Sequence, residues 1–529
     1  MLAACGGPDA GGSAGGPPPP AAECVGTATI VCTQSGAAQG TVEGDYRAFR
    51  GIPFAAPPVG DLRWRPPVPP AKWSGVRDAR QFGNRCPQYD SNGAAVGNED
   101  CLTLNVYAQN PPASAKQPVI VLIHGGGDIV GSAQDAPWGA TPPLARHGVI
   151  VVTVQYRLGL LGFFASPLLT AESPQGSSGN YGLLDLIAAL KWVRDNISGF
   201  GGDPTRVMID GHSAGSNNVE YLLASPAAEG LFTAAGMESG AFPANLLGTS
   251  VDYAYHWYAD VPAAMGCDTA ADVLACLRAV PADTLATSVP NHLDTGWPNI
   301  EPIVLPEDPY LKLQRLGSPV PLIVGSNSDE MSFSYVFGAA LDDAGYADAV
   351  HTFFDRFGAG TGDTILSLYP AADFTNPNYA LESVESDFYY TRNVRNFVRD
   401  VSGAQRSPVW RYLFTHRYEN PAPQDGFLTQ ARAFHGAETY FLTGSFQTLG
   451  TSVTYSPSSA ELALSEDMMG YWTRLVATGD PNGATAVRWL PYDNANGDLL
   501  QLDDDIATMP GGYRNAQCDF LSTLPTHGF

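Results

Sequence analysis

The sequence predicts an α/β architecture, a central and mostly parallel twisted sheet with helices on both faces. Three observations carry it. Short β-branched runs are apolar nearly throughout, as strands buried on both faces must be. Amphipathic helical stretches separate them. One run passes through a glycine-flanked turn straight into a helix-compatible segment.

In order, the runs are Val119–Ile123, Val149–Val154, Val207–Ile209, Pro321–Val324 and Val409–Phe414. Between the second and third lies Leu183–Ile197, where Leu186, Leu190, Val193 and Ile197 recur at helical spacing and form a core-facing stripe. Gly199 and the turn Phe200-Gly201-Gly202-Asp203-Pro204 stop that helix, since glycine supplies unusual backbone angles and proline cannot continue it. Residues 26–525 read as one continuous domain without an internal repeat, preceded by a disordered Gly/Pro/Ala-rich leader over 1–25.

Acidic residues number 53 against 28 basic ones, for a formal charge of -25. Such a field repels phosphate backbones, so no nucleic-acid partner is expected. No stretch is long and apolar enough to span a membrane; Val149–Leu169 is broken by Gln155, Arg157 and Pro167. Leu2-Ala3-Ala4-Cys5 resembles a bacterial lipobox, and Gly6–Ala22 has the composition of a tether. The expectation is a possible lipid anchor at Cys5, with a signal segment encoded further upstream. Cys86 and Cys101 flank a polar loop, Cys267 and Cys276 bracket a helix-like stretch, and Cys24 lies near Cys32. Paired spacings without C-x-x-C favour disulfides over zinc, hence a location outside the reducing cytosol. Cys5 and Cys518 are left over.

The most informative pentapeptide is Gly211-His212-Ser213-Ala214-Gly215, a G-x-S-x-G between a strand and a helix. In a strand–turn–helix elbow the serine hydroxyl is exposed above the sheet, and the glycines leave room for neighbouring backbone. His124-Gly125-Gly126-Gly127 follows the first strong strand, where uncovered N–H groups can face a developing oxyanion. Gly126, Gly127 and Ala214 are the candidate donors. An acid and then a histidine should follow the serine. The segment Val324–Glu330 ends a strand with two adjacent acids, Asp329 and Glu330, and the residues alone leave both open. Downstream, His435 has the most loop-like internal setting, with His416 as runner-up and His527 in the tail. His212 is expected to point away across the elbow, and His124 to be structural.

Several longer motifs now matter together. They are Phe49–Gly60, Leu62-Arg63-Trp64, Asn98–Val106, Asn180–Asp185, Phe200–Pro204 and Thr478–Asn482. On these the chain resembles the type-B carboxylesterase/cholinesterase family over roughly residues 30–520. The resemblance implies an α/β-hydrolase fold with large loop and helical insertions over the active site. It implies Glu330 as the acid, His435 as the base, and disulfides Cys86–Cys101 and Cys267–Cys276. It implies a serine carboxylesterase whose partner is a small-molecule ester, with no cofactor, no metal and no obligate protein partner. Short-chain or aryl esters are the expected substrates, because the loop Pro87–Asp100 holds only Tyr89 and lacks the tryptophan of choline-ester enzymes. A binding protein without turnover and an amidase are the rival readings. Two residues depart from the family pattern: His212 stands where Glu is usual before the nucleophile, and Asp128 follows the triple glycine in place of an aromatic or small apolar residue.

Overall fold

The apolar runs form the middle of one eleven-stranded sheet. The computed structural model describes residues 26–525 other than 114, 141, 242–248, 288–296, 336–338, 423–424, 450–453 and 485. The leader, with Cys5 and Cys24, lies outside these residues, as does His527. In chain order the strands are β1 (Thr41–Glu43), β2 (Tyr46–Pro53), β3 (Thr103–Gln109), β4 (Gln117–Ile123), β5 (Ile150–Val154) and β6 (Gly202–His212). They continue as β7 (Ala234–Glu238), β8 (Leu322–Asn327), β9 (Val409–Phe414), β10 (Leu499–Leu502) and β11 (Ala507–Met509). In space they run β11-β10-β9-β8-β7-β6-β4-β5-β3-β2-β1. Neighbours from β10 to β5 pair parallel, and both flanks turn antiparallel.

The apolar runs have a direct cause. Along β4, Val119, Val121 and Ile123 pack into one core while Ile120 and Leu122 pack into the other. Successive side chains point to opposite faces, so a strand covered on both sides has no position for a polar residue. Helix α1 (Tyr181–Asn196) buries Leu183, Leu186, Leu190 and Val193 on the first face. A long C-terminal helix, introduced below, buries Met468, Trp472 and Leu475 on the second.

Helix α1 starts two residues earlier than the periodicity predicts. Its stop also differs. A 3-10 turn, Ile197–Phe200, carries the chain through Gly199, and Gly201 (φ 97°) is the left-handed cap. Strand β7 escaped sequence reading because Ala234-Ala235-Gly236-Met237-Glu238 has no β-branched residue; it is recruited by parallel pairing on both sides.

Register sets up the site. Ile123 lies opposite Val154 and Gly211, His212 opposite Glu238, Glu238 opposite Gly325, and Asn327 opposite Phe414. The carboxyl ends of six parallel strands, β4 to β9, therefore meet at one edge, the usual place for a ligand crevice in open α/β sheets.

Candidate active site

At the end of β6 the chain turns at Ser213 into helix α2 (Ala214–Ala224). Ser213 sits at φ 58°, ψ -123°, a strained conformation for a residue with a Cβ. Its N–H donates to the Glu238 carbonyl at 2.8 Å, and its own carbonyl accepts from Asn217 at 3.1 Å, so both sides of the turn are held. The flanking glycines are required by space. A Cβ on Gly211 would stand 2.2 Å from the Gly215 carbonyl oxygen, and one on Gly215 would stand 2.2 Å from that of Ile123. Ser213 remains half-buried where its neighbours are buried. The loop after β4 lies against it: a Cβ on Gly125 would come within 2.9 Å of Ser213 Cβ. Gly126 and Gly127 adopt φ 109° and 64° and stay half-buried. Ala214 opens α2, where helix N–H groups have no partner within the helix.

Glu330 and His435 come together from the loops after β8 and β9. His435 Nδ1 and Glu330 Oε2 are 2.7 Å apart, with the carboxylate fully buried and the imidazole half-buried. Glu330 Oε1 accepts from the Asn327 N–H at 2.7 Å, and the His435 N–H donates to the Glu330 carbonyl at 3.0 Å. Asp329 is occupied elsewhere, in an ion pair with Arg432 at 2.8 Å. The geometry thus separates two acids that residue spacing alone left level, with Glu330, the one the resemblance implies, next to His435. His416 is likewise engaged away from this site, between Glu461 at 3.1 Å and Asp504 at 3.0 Å. His124 is buried, held near a pKa of about 4 by burial, and stacked on Tyr156.

His212 corrects the sequence reading. It does not point away: its ring centroid is 4.4 Å from that of His435, and its Nε2 is 3.9 Å from Glu438 Oε1. Burial, and after it the nearby His435, hold its pKa well below the ordinary value. The strand ends place it there, because its backbone partner Glu238 belongs to the adjacent strand beneath the site.

Sequence reasoning missed three residues around His435. Glu438, in helix α3 (Ala437–Thr443), accepts from Ser239 Oγ at 2.9 Å and from Asn327 Nδ2, and burial pushes its pKa upward. Its spacing, one helical turn past His435, was a readable signal. Tyr390, whose ring lies 4.8 Å from His435, sits in a π-helical turn, Asp387–Thr391, that nothing in the sequence announces. Phe333 lies at 6.3 Å. Behind the elbow, burial also raises Asp210 and Glu238, and Trp472 Nε1 donates to Asp210 Oδ1 at 3.1 Å. Helix α4 (Ser459–Thr478) supplies that tryptophan.

Cys86–Cys101 and Cys267–Cys276 are disulfides. Cys32 is also disulfide-bonded, while Cys518 is a buried free thiol. No helix among the described residues is long and apolar enough to cross a membrane.

A parallel sheet, a strained serine elbow between β6 and α2, and an acid–imidazole pair on later strand ends define an α/β-hydrolase. The chain belongs to the carboxylesterase family, whose sequence model matches residues 27–521. It is similar to the fumonisin B1 esterase of Sphingopyxis macrogoltabida, at 34% identity over 90% of this chain and 87% of that one. It is similar also to the para-nitrobenzyl esterase of Bacillus subtilis (strain 168), at 32% over 91% and 96%. A solved PNB esterase superposes with a TM-score of 0.78 and 31% identity, covering 94% of this chain and 99% of that one. The protein is a serine carboxylesterase, acting on carboxylic esters.

Proposed function

We propose that Ser213, Glu330 and His435 form the catalytic triad and that Gly126, Gly127 and Ala214 hold the oxyanion. The observation that carries this reading is the 2.7 Å contact between His435 Nδ1 and buried Glu330, beside the Ser213 elbow. That contact leaves Nε2 of the imidazole for the serine. His435 takes the Ser213 proton as the hydroxyl attacks the ester carbonyl, and Glu330 stabilises the imidazolium that results. The tetrahedral oxyanion accepts from the Gly126, Gly127 and Ala214 amides. His435 then gives its proton to the departing alcohol, leaving an acyl-enzyme on Ser213. Water, deprotonated by His435, adds to the acyl carbonyl and releases the acid.

The natural substrates are proposed to be short-chain or aryl esters. The loop closed by Cys86 and Cys101 carries Tyr89 as its one aromatic ring, which disfavours a quaternary ammonium substrate. The disulfides support a site of action outside the cytoplasm, with Cys5 in Leu2-Ala3-Ala4-Cys5 as a lipid anchor. Hydrolysis of p-nitrophenyl butyrate by wild type and by folded Ser213→Ala tests the reading. A fall of about 10³ or more in kcat is expected; equal rates would remove Ser213 from the mechanism.

A further inference from the structure

Asp128 is wholly buried immediately after the glycine run, at φ 57°. Its carboxyl lies inside the protein. Oδ1 accepts from Asn218 Nδ2 at 2.8 Å and lies 2.9 Å from Tyr156 Oη. Tyr156 Oη is also 2.9 Å from the carbonyl oxygen of His124, which precedes the glycines. The hydrogens in this chain do not suffice if Asp128 is ionised. A phenol has one hydrogen, and a backbone carbonyl can only accept. Both Tyr156 contacts are hydrogen bonds only when Tyr156 donates to His124 and the Asp128 carboxyl donates to Tyr156.

We infer that Asp128 is a protonated positioning residue, whose neutral carboxyl completes an Asn218–Asp128–Tyr156–His124 chain that pins the oxyanion turn to the helix behind the nucleophile. The inference rests on the oxyanion role proposed above for Gly126 and Gly127. The chain joins four pieces of the site: the end of β4 at His124, the turn at Asp128, the segment after β5 at Tyr156, and α2 at Asn218. The Asp128 carbonyl adds a fourth tie to the three links of the chain by accepting from the Gly159 N–H at 2.7 Å.

The surroundings favour the neutral form. Burial pushes the Asp128 carboxyl up to about 7, and Asn218 and Tyr156 only partly offset it. The titratable groups facing this cluster are Tyr156 and Tyr221, both driven upward by burial and by Asp128 itself, and neutral His124 stacked on Tyr156. Glu220, raised by burial, acts on Tyr221 from the same helix. None of these supplies a positive charge to the carboxyl. Loss of the proton breaks one link of the chain and places a negative charge beside a turn that must stabilise another. Activity should then fall as pH rises through about 7, the value to which burial carries Asp128.

The test is kcat/KM for p-nitrophenyl butyrate from pH 5 to 9, read at the p-nitrophenol isosbestic wavelength, for wild type, Asp128→Asn and Asp128→Leu. An amide carries no titrating proton; with its NH2 in the place of Oδ1 it donates to Tyr156, and Asn218 can turn its own Oδ1, which has no hydrogen-bond partner, to accept from it. The expected result is an alkaline limb near neutrality in wild type that is absent from Asp128→Asn, with Asp128→Leu lower by about 10²-fold across the range, comparable to loss of an oxyanion donor. Infrared difference spectra at pH 6 should show a protonated-carboxyl stretch in wild type that disappears in Asp128→Asn. The same alkaline limb in both proteins, or no carboxyl band lost, would overturn the inference. Failure of the triad reading is separate, since it shows as undiminished turnover in Ser213→Ala.

Discussion

His212 illustrates how one side chain sets the surroundings of the proposed base, His435. The family commonly carries a glutamate before the nucleophile, and here a neutral imidazole packs 4.4 Å from the His435 ring. A carboxylate at that distance would favour the protonated form of His435, because an opposite charge nearby stabilises the charged state. His212→Glu should therefore move the acid limb of the kcat/KM profile upward by about one pH unit. An unchanged limb would mean that position 212 is electrostatically silent toward the base. Gly215 shows the opposite kind of constraint, imposed by space. A Cβ there meets the Ile123 carbonyl oxygen at 2.2 Å, so the elbow and the end of β4 must separate to admit it. Asp329 and Glu330 make a third case. They are adjacent in sequence, yet one neutralises Arg432 and the other contacts His435. Their chemistry is identical to a reader of the chain, and only their surroundings differ.

Among the elements, the strands of the sheet centre and the helices α1 and α2 were legible because burial on one or two faces writes a period into the sequence. Strand β9 is observed with the predicted ends, Val409–Phe414, and the helix-compatible segment after Ser213 is helix α2. The flanking β2 and β3 and the alanine-rich β7 left weaker traces, since pairing with neighbours rather than side-chain character holds them. The disulfide loops act as elements too. Glu99, inside the loop closed by Cys86 and Cys101, forms a two-pronged pair with Arg63 at 2.8 and 2.6 Å. Arg63 also donates to the Val280 carbonyl at 2.6 Å, just beyond the second disulfide, Cys267–Cys276. The two loops are thereby joined through one guanidinium. Replacing Cys86 and Cys101 with serine should lower unfolding free energy by about 3 kcal/mol, the loop-closure value for a 15-residue separation. A reversible denaturant titration would measure it, and a loss below about 1 kcal/mol would show that Arg63 and the packing hold the loop without the bond.

For the molecule as a whole, buried carboxyls shape stability. Burial raises Asp128 and Glu382 to about 7 and pushes Asp210, Glu220, Glu238 and Glu438 upward. A carboxyl raised in the folded state binds its proton more tightly there than in the unfolded chain. Its contribution is full below its ordinary value and is lost as pH rises through the folded one. His416 acts in the same direction: against burial, Asp503 and Glu461 carry it to about 9, so its contribution fades as pH rises through that value. Glu43, lowered to about 2 chiefly by its hydrogen bond with Arg50, and His124, lowered to about 4 by burial, limit the acid side. Thermal stability should therefore peak at mildly acidic pH and decline from about pH 6 to 9. A calorimetric series across that range checks it, and a melting temperature that rises toward pH 9 would contradict the assignment.

The sequence by itself determined the sheet-and-helix class, the serine elbow between strand and helix, and the glycine turn. Each is a local property: a run of apolar residues, a Gly-x-Ser-x-Gly between strand and helix, and glycines where backbone must approach backbone. Spacing along the chain left two neighbouring acids level, and the fold sets Glu330 rather than Asp329 against His435; tertiary structure alone decided that His212 packs against that imidazole and that the Asp128 carboxyl lies against a tyrosine and an asparagine. Those outcomes depend on strand register and on segments that return from far along the chain, Asp128 and Asn218 being 90 positions apart and Glu330 and His435 105. The physical reason is that a side chain's partners and its dielectric surroundings are set by what packs around it, and no spacing along the chain encodes them.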